Sequence, residues 1–94
     1  MNIDNKATKY FLKNLAPLEV IDLVEKYEIP SPYKEILYTA CIYDKEGFEG
    51  CDFMQEKYKI SISYWSFVKK LKTALVKFRK SHLYKNNPKS ENIL

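Results

Sequence analysis

Glycine is nearly missing from this chain: two occur in 94 residues, beside four prolines. A sandwich or barrel of short strands needs a turn about every 8 to 12 residues, and a phosphate-cradling loop needs glycines at fixed offsets. Neither fits, so helices joined by short turns are expected. Transition-metal ligands are equally scarce. One histidine, His82, and two cysteines, Cys41 and Cys51, stand in no C-x-x-C pattern, too few for a zinc site. A cytosolic chain keeps such thiols reduced, and both read as small buried hydrophobes. No apolar run nears the roughly 18 residues that span a bilayer. The opening MNIDNKATKY lacks the charged-then-apolar order of a signal peptide. No membrane association and a cytoplasmic location are therefore expected.

Catalytic machinery is thin as well. A nucleophile needs an adjacent base, and that base an orienting group. His82 falls on an apolar helix face, where it reads as a helix-end or satisfied core residue. Carboxylate pairs such as Glu46/Glu49 and Asp22/Glu25 are ordinarily the solvated side of amphipathic helices. The expectation is a protein that is not an enzyme and carries no cofactor and no metal.

What is present is an apolar fraction of 46%, with eight Tyr, five Phe and one Trp, ample for one small core. The length makes a single domain, taken as residues 1–84. Residues 85–94 are too poor in apolar side chains to pack and read as a disordered tail. Charge is divided unevenly. Residues 1–56 hold six Lys and eleven Asp or Glu, net −5; residues 57–94 hold nine Lys and one Arg against Glu91 alone, net +9. Such asymmetry points to a nucleic-acid or membrane contact through the basic part.

Periodicity divides the chain into about five helices. In residues 5–15, Ala7, Tyr10, Phe11 and Leu15 fall at helical spacing. Pro17 suits the first position of a second helix, with Leu18, Ile21, Val24 and Tyr27 along one face. Ser31 reads as the cap of a third helix with Pro32 in its first turn. That helix runs to about Asp44, and Tyr33, Ile36, Leu37, Ala40 and Cys41 form its buried stripe. A fourth, over about residues 48–58, buries Cys51, Met54 and Tyr58.

The last helix, from residue 62 or 63 to 84, is the longest. At about 100° per residue, Tyr64, Phe67, Val68, Leu71, Ala74, Leu75, Phe78 and His82 share a core face. The opposite arc holds Ile62, Ser66, Lys69, Thr73, Val76, Lys77 and Lys80, flanked by Trp65, Lys70 and Lys72. A Lys-rich solvated face is the commoner reason for such an arc. Joined to a preceding short helix and a half of net +9, it describes a helix-turn-helix whose second helix enters the DNA major groove while lysines hold phosphates. The fold class expected is therefore all-α, a small bundle of about five helices containing a helix-turn-helix with a long C-terminal recognition helix.

The stretch Ile29-Pro30-Ser31-Pro32-Tyr33-Lys34-Glu35-Ile36-Leu37 resembles the L-P-x-x-x-R-E-V-L that opens sigma factor region 4. Ile60-Ser61 is similar to its G-I-S, and residues 70–79, KLKTALVKFR, to its closing R-L-x-x-A-L-x-K-L-R. Residues 7–13, ATKYFLK, are similar to the start of phage-encoded sigma-like transcription regulators of the ArpU/RinA type. Lys59 stands where the family has its turn glycine, and the small residue of the preceding helix falls at Cys51 or Met54. The recognition helix opens at Ile60-Ser61 or at Ile62-Ser63, and Ser63 is the preferred cap. The resemblance implies a sequence-modest DNA-binding transcription regulator of phage or mobile-element origin, acting in a bacterial host cell. Its base-facing residues would be Ser63, Trp65, Ser66, Lys69 and Lys70, with Lys59, Lys72, Thr73 and Lys77 on phosphates. Lysine reads guanine and serine bonds either base type, but this face has no Arg, Asn or Gln for a bidentate contact. Trp65 reads either as a packing anchor or as a groove wedge or stacking platform.

A second reading keeps the scaffold without DNA: a protein-binding module that binds or inhibits a host protein such as RNA polymerase, or pairs with a second copy as a homodimer. Its basis is the acidic first half together with semi-exposed Ile62, Trp65 and Val76.

Overall fold

The computed structural model describes residues 2–85. All regular structure among them is helical: α1 (Asn2–Lys13), α2 (Pro17–Lys26), α3 (Tyr33–Leu37) widening directly into a π-helical turn (Tyr38–Ile42), α4 (Gly47–Tyr58) and α5 (Tyr64–Lys85). This is the all-α bundle of five helices that scarce glycine and the apolar spacing lead to. Lys85 is the last residue of α5, and the rest of the expected tail lies outside the described residues.

The long helix α5 is the spine, against which α3, α4 and α1 pack. Its core face is the expected one. Phe67, Leu71, Ala74, Leu75 and Phe78 are buried, with Tyr64, Val68 and His82 half-buried at the margins. Burying side chains of the size of Phe67 and Phe78 contributes about 1.5 to 3 kcal/mol each. His82 stacks on Phe78 with centroids 5.7 Å apart, and its Nδ1 shares a hydrogen bond of 2.7 Å with the Tyr27 hydroxyl. It is a satisfied residue at the edge of the core.

The first two helices are rotated from expectation. In α1 the inward side chains are Thr8 and Leu12 rather than Ala7, Tyr10 and Phe11. Phe11 instead lies across the rim, 5.4 Å from the His82 ring. A polar clasp fixes this rotation. Lys9 Nζ donates to Glu46 at 2.9 Å, Lys13 Nζ to Asp44 at 2.7 Å, and Arg79 Nη1 to Asn5 Oδ1 at 2.9 Å. Asn5, Lys9 and Lys13 follow at intervals of four, so they share one side of α1, and engaging all three turns Thr8 and Leu12 inward. In α2 Pro17 does take the first position, and Glu19 accepts from the Ala16 N–H at 3.0 Å. Val20, Val24 and Tyr27 are the buried stripe, whereas Leu18 is 73% exposed and Ile21 half-buried.

Ser31 does not cap α3. Its hydroxyl donates to Glu35 Oε2 at 2.8 Å, and Pro32 precedes the helix instead of starting it. Of the expected stripe, Ile36, Leu37, Ala40 and Cys41 are buried, Tyr33 at its start is only half-buried against the core, and Thr39 joins them. Three consecutive buried residues exceed what an α-helical stripe provides. The π turn explains them: the Thr39 hydroxyl donates to the Glu35 carbonyl at 2.8 Å, and Tyr43 N–H reaches the Tyr38 carbonyl five residues back. A side chain inserted in the backbone ladder is a known cause of such widening. Desolvation in this core pushes the Cys41 thiol up to about 12.

In α4 Met54 is buried, while Cys51 and Tyr58 are half-buried against the core. Gly50 makes a close approach to α5. A Cβ built there would sit 2.7 Å from Phe67 Cζ and 3.1 Å from the Lys45 carbonyl, so only glycine fits beneath that ring.

Candidate nucleic-acid interface

Residues 59–63 join α4 to α5, a five-residue connection against the three or four usual in a helix-turn-helix. It is long because α4 ends in a left-handed residue. Lys59 has φ 59°, and Ile60 N–H returns to the Met54 carbonyl at 3.2 Å, the Schellman-type end in which glycine is the usual occupant. Ile60 and Ile62 then pack on the core, so Ile62 is not part of the solvent-facing arc where the spacing put it. Of the two openings for α5, the chain takes the second. Ser63 precedes Tyr64, and its Oγ accepts the Ser66 N–H at 3.2 Å.

The outward side of α5 has three parts. Trp65, Lys69 and Lys72 follow at intervals of four and three, forming one stripe, and all are exposed. Thr73, Lys77 and Lys80 are exposed beside it, and with Lys72 and half-buried Val76 they line a shallow depression of about 410 Å³. Lys70 and Lys77 lean the other way, their Nζ atoms 5.5 and 5.8 Å from the Tyr33 ring centroid, within cation–π range. Lys70 is half-buried there and Ser66 is half-buried beside it. The Thr73 hydroxyl donates to the Lys69 carbonyl at 3.2 Å. Lys59 lies off the helix and donates to the Glu56 carbonyl at 3.1 Å. Trp65, Lys69 and Lys72 thus present together, while Ser66, Lys70, Thr73 and Lys77 follow at intervals of four, three and four along the neighbouring stripe.

None of Lys69, Lys70, Lys72, Lys77 and Lys80 pairs with a carboxylate among the described residues; the ion pairs there belong to Lys9 and Lys13. Arg79, the chain's one arginine, is engaged by Asn5. On the α1 side the basic surface continues. Lys6 and Lys72 border a cavity of about 270 Å³ floored by Phe67, Val68, Leu71 and Leu75.

Trp65 is 71% exposed and is not a packing anchor of the core. Its ring stands edge-on to Tyr64 at 5.2 Å, and Tyr64 lies against Phe48 at 4.6 Å. Phe48 is 73% exposed, and the spacing gave no reason to single it out. The signal available was Gly47, which opens α4 with φ 63° and admits the Tyr64 ring at 3.3 Å from a built Cβ.

Among the described residues no helix is long and apolar enough to cross a membrane, and no three His, Cys, Asp or Glu side chains gather to hold a metal ion. No family model, curated protein or solved structure matches this chain.

Proposed function

We propose that the chain is a transcription regulator that binds double-stranded DNA by laying the start of α5 in the major groove. The observation that carries this reading is the cationic side of α5, where Lys69, Lys72, Lys77 and Lys80 are all exposed and have no carboxylate partner among the described residues. Phosphates supply the missing charge, and counterion release drives the association. Trp65 and Lys69 are the base-facing residues, with Ser63, Ser66 and Lys70 at the groove wall. Lys59, Lys72, Thr73 and Lys77 hold phosphates, Lys77 after leaving the Tyr33 ring. The exposed carboxylates Glu49, Asp52 and Glu56 keep α4 away from the phosphates, so α5 and the adjoining Lys6 carry the contact. Without a bidentate reader, sequence preference is modest and owes part of its strength to DNA shape. The likeness to sigma region 4 and to phage regulators of the ArpU/RinA type belongs to this same reading, as does action in a bacterial cytoplasm.

Fluorescence anisotropy of duplex DNA at two salt concentrations tests it. Affinity should fall steeply with salt, and Lys72→Ala should weaken binding to every sequence and lower the salt slope by about one. Binding indifferent to Lys69→Ala, Lys72→Ala and Lys77→Ala would exclude it.

The exposed rings of Phe48 and Trp65 favour a second reading, a protein-binding module whose partner is a host protein such as RNA polymerase. Purified polymerase binding the wild-type chain but not Trp65→Ala would support it.

A further inference from the structure

Where α4 and α5 begin, three aromatic rings form a continuous surface: Phe48, Tyr64 and Trp65, with centroids 4.6 and 5.2 Å apart. The two outer rings are more than two-thirds exposed. The margins of this surface carry opposite charge. On α4, Asp52 stands four residues beyond Phe48 with exposed Glu49 and Glu56 nearby; on α5, Lys69 stands four residues beyond Trp65, followed by Lys72. None of these five charges is engaged in an ion pair with a described residue. Read across the surface, the order is acid, three rings, base.

We propose that this surface is where two copies of the chain associate about a two-fold axis passing near Tyr64. With the axis running across the acid-to-base row, the two-fold rotation reverses the order, so each copy's α4 carboxylates meet its partner's α5 lysines and the rings close on one another. The same order weighs against other occupants. A nucleic acid lying across all three rings is repelled by the α4 margin and so is confined to the α5 side, a uniformly acidic protein is repelled there likewise, and a uniformly basic one by the α5 margin. A second copy satisfies both margins at once. The area is modest. Rings of this kind offer on the order of 300 to 400 Å² per copy, against about 800 Å² per partner in a standard interface. The dimer is accordingly weak and forms only at high protein concentration. This inference does not depend on the DNA reading, but it limits it: Lys69 and Lys72 serve one partner at a time, so self-association and duplex binding compete.

Light scattering and sedimentation of the nuclease-treated chain, without DNA, give the test. The mass should rise with concentration from 11.2 kDa toward twice that value, and fall back at high salt. Phe48→Ala and Trp65→Ala, both surface changes, should leave a helical monomer by circular dichroism. Asp52→Lys and Lys69→Glu should each be monomeric alone and pair when mixed, because every cross-interface contact is then attractive. A wild-type chain that stays monomeric at the highest concentration overturns the proposal. So do charge variants that dimerise unaided, a mixture that fails to pair, or a mass that was elevated only before nuclease treatment. A chain that dimerises yet never binds duplex would reject the DNA reading alone.

Discussion

α1 and α4 reach the α5 spine by different means. α4 meets it at an apolar seam, where Gly50 lets the Phe67 ring settle against the helix backbone. α1 meets it partly through Phe11, which lies against Phe78 and His82, but its rotation is set by the clasp of Asn5, Lys9 and Lys13. The seam is dry and close-packed. The clasp is open to solvent, its Lys9–Glu46 pair about a third exposed on each side. Dry packing is costly to disturb because the surroundings relax only in part, whereas exposed ion pairs contribute about 0 to 1 kcal/mol each. The seam therefore holds the molecule together, and the clasp decides which side of α1 faces inward.

The comparison breaks most sharply at Phe67. Phe67→Ala should cost about 3 to 5 kcal/mol in urea unfolding followed by circular dichroism. Gly50→Ala should cost about 1 to 3 kcal/mol through overpacking, outweighing the helix propensity alanine gains. A neutral Gly50→Ala would mean that the seam is looser than the 2.7 Å approach implies. At the joint between α4 and α5, Lys59→Gly should raise stability by about 0.5 to 1 kcal/mol, since it relieves the left-handed strain and gives back part of the gain in chain entropy. Lys9→Ala should cost no more than about 1 kcal/mol, and the difference should vanish in high salt.

The smallest effect concerns pH. The hydrogen bond from Lys13 holds the Asp44 carboxyl below the usual carboxylate range. Its contribution to stability is present above the ordinary Asp value and is lost as pH falls through the lowered one. Carbon-detected NMR titration should find the Asp44 midpoint below the ordinary carboxylate range in the wild type, and at an ordinary value in Lys13→Ala. An unchanged midpoint would remove Asp44 from the clasp.

Much of this was legible in the sequence, and the exceptions share a cause. The core face of α5 follows from period alone because eight apolar or aromatic positions leave one possible orientation. In α1 two stripes compete. Tyr10 and Phe11 are larger than Thr8 and Leu12, yet the choice depends on partners as distant as Glu46 and Arg79, which no local pattern records. Leu18 loses to Val20 for a similar reason, because one turn of α2 extends past the core. Gly50 was the more recoverable omission: in a chain with two glycines, one placed inside a helical pattern marks a close approach. Of the site, the exposed cations of α5 follow from period, and the cap at Ser63 was the preferred reading of the turn. The lean of Lys70 over Tyr33 and the exposure of Phe48 depend on how α3 and α4 meet α5, which sequence spacing does not specify.

Trp65 is the chain's single tryptophan, and it stands in water at the start of α5. Its emission in the native protein should already resemble that of a solvated indole, so heating or urea will alter it little and a fluorescence melt would register almost nothing. The same placement makes it a sensitive optical reporter of whatever docks there. In this molecule intrinsic fluorescence follows recognition rather than folding.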